Sequence, residues 1–113
     1  MKNVLVIRAS GEIEEKQIEG DELKFLQKCV DGYIETITTR QYVFIVNEDG
    51  IMKGLEPNKI ATVLCKADGG HIGNSPIVGN VVVMTGGWNG NMNGLTKHQL
   101  DVLVELAEMA RGK

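Results

Sequence analysis

The residues best suited to chemistry are glycines, asparagines and one tryptophan gathered around a single apolar run. Eight of the 14 glycines fall between residues 69 and 94, on either side of 77–85, IVGNVVVMT. The second flanking segment, 86–94, reads GGWNGNMNG and holds four glycines, three asparagines and the only tryptophan. Glycine lets the backbone pass through positive φ and bring its N–H groups close to a ligand. Asn89 and Asn91 add uncharged donors and acceptors, and Trp88 a flat face for a base or sugar. With Gly70, His71, Gly86 and Gly87, the composition suits a flat, polar, partly phosphorylated small molecule. Arg40 or Lys66 would neutralise its phosphate, and Asn47, Asn58 and Tyr33 are candidates to converge beside the same pocket. The plainer reading is that Asn-Gly and Gly-Gly pairs make turns and Trp88 plugs the core. At this stage both stay open.

Catalytic candidates are thin. His71 lies in a glycine-rich loop and His98 in the first turn of a helix. Cys29 and Cys65 sit among apolar residues, where a thiol is structural rather than nucleophilic. Glu12, Glu14, Glu15 and Glu19 read as a solvated strand edge. His71 with Asp68 as general base is the minority enzyme reading. There is no GxGxxG after the first strand and no GxxxxGK[ST] sequence, which excludes Rossmann and P-loop sites. Two distant cysteines make neither a disulfide framework nor a zinc site. No metal and no cofactor are expected.

The elements that must position these residues fit one domain spanning 1–113. Hydrophobic residues make up 42%, charged residues 24% and aromatics 4%, so a core of Val, Ile and Leu is expected. Lys+Arg 12 against Asp+Glu 15 gives net charge −3, which excludes duplex nucleic acid as a natural partner. No apolar run spans a bilayer and no signal peptide is visible, so a cytoplasmic protein without membrane contact is expected. Residues 3–8 read as a buried strand and 12–19 as a charged edge strand paired back on it. Asp21 caps a helix that turns Leu23, Leu26 and Val30 inward and stops at Gly32. Strands follow at 33–38 and 42–47, then a Glu48-Asp49-Gly50 turn needing positive φ at Gly50, with 51–52 returning as a short strand. Pro57 opens a helix to 66 with Ile60, Val63 and Leu64 inward. After a loop at 67–76, residues 77–85 form the central strand. Thr96 to Gln99 has capping-box spacing, opening a helix to Ala110. The expected fold is α+β, a mainly antiparallel sheet of five or six strands with two or three helices on one face.

Several short motifs occur in one order: Leu26-Gln27 to Val30, Gly32-Tyr33-Ile34-Glu35, Val46-Asn47-Glu48-Asp49-Gly50, Gly54-Leu55, Pro57-Asn58, Ala61-Thr62, and Ile77-Val78-Gly79 before Val81-Val82-Val83. Together they resemble the signature of a family of small uncharacterised proteins of phages, plasmids and their bacterial hosts, a domain of unknown function. The resemblance spans roughly 23–85, and Asp31 stands where the pattern has glycine. It implies a mobile-element origin and, for a phage-encoded chain, the host cytoplasm. It transfers no catalytic residues.

The resulting expectation is a non-enzymatic binder of a small polar ligand, sequestering a nucleotide-derived immune signal of the host. The alternative is a protein that inhibits a host factor through the acidic face at 12–22. A domain this small is also expected to form a homo-oligomer, through its last helix or an edge strand.

Overall fold

A computed structural model describes residues 1–86 and 91–112. Five strands lie in the spatial order β2 (Ile13–Gln17), β1 (Asn3–Ile7), β5 (Val81–Gly86), β4 (Val43–Asn47), β3 (Ile34–Thr38). A short β6 (Met92–Asn93) folds back on β5, and every strand pair is antiparallel. The helices are α1 (Glu22–Val30), α2 (Lys59–Ala67) and α3 (Lys97–Arg111). The α+β class, the six-stranded antiparallel sheet and the central place of β5 agree with the sequence reading.

The helices do not all lie on one face. Side chains alternate across a sheet, so Val4, Val6, Val43, Ile45, Val82 and Met84 share one face, where Leu26 and Val30 of α1 cover them. Leu5, Ile7, Phe44, Val46, Val81 and Val83 share the other, beneath Ile60, Ala61 and Leu64 of α2 and Leu100, Leu103 and Ala107 of α3. The result is a three-layer α/β/α stack. Its cause is visible in the central strands: VLVI, VFIV and VVVM are unbroken apolar runs, and a strand with one solvated face alternates instead.

Local differences have equally specific causes. The left-handed residue ending α1 is Asp31, at φ 63°. Gly32 is needed because a Cβ there would stand 2.8 Å from Asn47 Nδ2. Gly50 is outside the positive-φ residues, and its Cβ would meet Val78 Cγ2 at 2.8 Å. Residues 51–54 continue the turn instead of forming a strand. Leu23 and Val63 are exposed. Pro57 precedes α2, whose cap is Asn58, and bridges to Val78. Thr96 and Gln99 do form the capping box of α3.

Candidate functional site

Two clefts lie at opposite edges of the sheet, one of mixed charge with cations in slight excess and one acidic. The first forms beside α1, which packs over β4 and β5, on the side where the helix faces the β1–β2 edge of the sheet. Val4 and Val6 point toward α1, and the period of two carries Arg8 to the same side, with Glu14 and Lys16 opposite them on β2. Arg8 bonds Glu14, which Lys16 also approaches at 3.8 Å. From α1 come Lys24, Phe25, Lys28 and Cys29, helical neighbours three or four apart or adjacent. The cleft between them encloses roughly 650 Å³ and is also lined by Glu19, Asp21, Asp31 and Asn80. Four cations thus meet three carboxylates in its lining. Asn80 is held by the Ala9 N–H, which donates to its Oδ1 at 3.1 Å. Burial pushes the Cys29 thiol up, outweighing the pull of Lys16 and Arg8, and burial does the same to Cys65. Neither is set up as a thiolate.

The second cleft runs along the outer edge of β3 and encloses roughly 600 Å³. Its floor is Glu35 to Thr38 with Val46, one wall is the turn at 48–52, and the other is the 71–78 loop. Glu35, Glu48 and Asp49 line it together with His71, and among the described residues no lysine or arginine does. Asn47 lies in its wall, but its amide serves the fold: Nδ2 donates to Val30 O at 2.9 Å and Oδ1 accepts from Asp49 N–H at 2.8 Å.

The remaining expected site residues are scattered. Asn58 is 1% exposed. Its Nδ2 donates to Ile7 O and Gly79 O, and its Oδ1 accepts from Ala61 N–H. Gly70 packs at the end of α2, where a Cβ would stand 2.4 Å from Cys65 Sγ. Arg40 is exposed in the β3–β4 turn, whose backbone N–H bonds Asp68 O at 3.0 Å. Both carboxylate oxygens of Asp68 accept hydrogen bonds from Thr39 and Gln41, which ties the end of α2 to the β3–β4 turn. Gly86 ends β5 and Asn91 precedes β6, both exposed. Gly87, Trp88 and Asn89 lie outside the described residues. Of the two glycine-rich loops, 69–75 contributes His71, Ile72 and Ser75 to the acidic cleft; no described residue of 86–94 lines either cleft.

The family model described as a domain of unknown function, DUF3846, matches residues 1–110. The chain belongs to this family. The match extends past the 23–85 span of the ordered motifs to residues 1–22, the 86–94 loop and nearly all of α3. No curated protein and no solved structure matches the chain. For this DUF3846 domain, chemistry therefore has to be read from the two clefts themselves. The basic one was not foreseen. Its signal lies in the spacing of Lys24 and Lys28, one helical turn apart, with Lys16 and Arg8 at same-face strand positions.

Proposed function

We propose that this protein is a non-enzymatic binder of a small anionic ligand, held in the basic cleft between α1 and β1–β2. The observation that carries the reading is local charge. In a chain of net −3, Arg8, Lys16, Lys24 and Lys28 outnumber Glu19, Asp21 and Asp31 around one cleft beside the Phe25 ring. With Arg8 and Lys16 drawn to Glu14, Lys24 and Lys28 are the cations left for a ligand. A cleft of roughly 650 Å³ falls within the range of sites that bury small molecules. The ligand class is a phosphorylated, nucleotide-derived molecule: Lys24 and Lys28 meet its phosphates, Phe25 offers a face to a base, and Asn80 an amide to its edge. A mobile-element origin would make that molecule a host immune signal, and binding without turnover would suffice to remove it. The protonated thiol of Cys29 agrees with binding rather than covalent chemistry.

The test is calorimetry against cyclic dinucleotides and ADP-ribose derivatives at low salt. Lys24→Glu/Lys28→Glu should weaken the positive ligand by about tenfold or more, since charge-assisted contacts contribute about 1.5–3 kcal/mol each. Silence across the panel, or affinity unchanged by the charge reversal, overturns the reading.

The alternative of an acidic inhibitory face at 12–22 has less support. Glu14 is paired with Arg8 and Lys16, and Glu22 with Lys2 at 2.7 Å, so that surface is of mixed sign.

A further inference from the structure

The two edges of the sheet are built differently. β2 reads IEEKQ and carries three charges in five residues, the usual guard against further strand pairing. β3 reads IETIT, with Glu35 its single charge. Two backbone bonds fix which groups of β3 face outward: Thr39 N–H donates to Tyr42 O, and Glu48 N–H to Tyr33 O. In the register Ile34↔Asn47 to Thr38↔Val43, the residues bonded to β4 are then Tyr33, Glu35, Ile37 and Thr39. The alternation of an antiparallel pair turns the N–H and C=O groups of Ile34, Thr36 and Thr38 away from β4. Thr36 and Thr38 line the acidic cleft together with Glu35 and Ile37, so the cleft runs along this open edge of the strand.

We propose that β3 is a docking edge, on which an extended, basic segment of a partner protein adds as a further strand. Backbone bonds to Ile34, Thr36 and Thr38 supply the general attraction, and alternate side chains supply selection. On the face of Glu35 and Ile37, the segment places a basic residue beside Glu35 and an aliphatic one beside Ile37. Glu48 and Asp49 sit beyond the Ile34 end, past the Asn47 pairing, and add negative charge to the end of the edge that carries Glu35. Charge also decides against a second copy of this chain. Two β3 edges meeting about a two-fold axis would bring two acidic clefts together, and like charges across an interface are costly. The proposal is independent of the ligand in the basic cleft.

The probe is the capped pentapeptide Lys-Thr-Val-Thr-Lys, titrated into the ¹⁵N-labelled full chain. Its alternation puts Lys, Val and Lys on one face, whichever direction it runs. Expected are amide shifts at Ile34, Thr36 and Thr38 and slowed hydrogen exchange there. Binding should fall about tenfold or more when alternate peptide nitrogens are methylated, through loss of backbone bonds. The Glu-Thr-Val-Thr-Glu peptide should leave these amides unmoved. Thr36→Pro removes one outward donor while the bonds of Glu35 and Ile37 to β4 stay in place, as edge strands tolerate. It should weaken binding with its melting transition retained. No shifts at the β3 amides up to millimolar peptide, or equal binding by the N-methylated peptide, overturns the proposal. The peptide arms use the unaltered protein, so the outcome stands even where Thr36→Pro fails to fold.

Discussion

Asn58 joins three pieces of backbone at once: the end of β1 through Ile7 O, the 77–80 stretch through Gly79 O, and the first turn of α2 through Ala61 N–H. Asn58→Ala would remove three buried hydrogen bonds and leave buried groups such as the Ala61 N–H unpaired, at about 1–3 kcal/mol each, so a loss of about 2 kcal/mol or more is expected in urea unfolding. The residue was legible as a helix boundary, since Asn after Pro is a natural cap. Its burial was not, because a side chain that satisfies the backbone and one that satisfies a ligand have the same donors and acceptors. Asn47 misled for the same reason. Asp68 carries a pH dependence. Burial, the largest single influence, pushes its carboxyl upward, but hydrogen bonds from Thr39 and Gln41, with the Arg40 charge, together hold it below the usual aspartate value. A carboxylate lowered in the folded state contributes stability that is present above its unfolded value and lost as pH falls through the folded one. The stability gap between the parent and Asp68→Asn should therefore narrow as the pH is taken below the ordinary carboxylate range, read from melts across pH 2.5–7.

At the scale of elements, α1 is the sole helix over the face built from Val4, Val6, Val43, Ile45, Val82 and Met84. Leu26→Ala should cost about 2–5 kcal/mol, as deletions of buried leucines do. Because α1 also carries Lys24 and Lys28, its loosening should blur the basic cleft as well. The helices and four of the strands were legible from periodicity to within two residues, and the capping box from Thr96 and Gln99 alone. The central strand, however, begins at Val81 and not at Ile77, 51–52 is turn, and β6 stands where a loop was expected. What was missed is which face each helix takes. Leu26 and Val30 mark an inward stripe but carry no label for the side of the sheet, and the unbroken apolar runs of β1, β4 and β5 held that information unused. Gly50 illustrates a second limit. Glycine for positive φ and glycine for close approach are indistinguishable until Val78 is seen 2.8 Å from where its Cβ would be.

Across the whole molecule, charge is sorted more than its total suggests. The net of −3 conceals one cleft where four cations meet three carboxylates and another with three carboxylates and, among the described residues, no lysine or arginine. Residues 1–56 hold eleven acids and seven bases, an imbalance visible in the sequence, but the clefts were not visible there. Each draws on segments far apart in the chain, Arg8 and Asn80 in one, Glu35 and Pro76 in the other. No helix of the described residues is long and apolar enough to cross a membrane. Self-association is a proposal at this scale. Val63 on α2 and Leu106 and Met109 on α3 are exposed apolar residues that would serve it. Light scattering should then give a dimer that Leu106→Glu reduces to a monomer; a monomeric parent chain removes the idea. The central claim is the basic cleft, and the most direct measurement is a ¹⁵N NMR titration with a cyclic dinucleotide at low salt. The account predicts saturable shifts at Lys16, Lys24, Phe25, Lys28 and Asn80, abolished by Lys24→Glu/Lys28→Glu. Saturable shifts confined to other residues, or none at millimolar ligand, would contradict it.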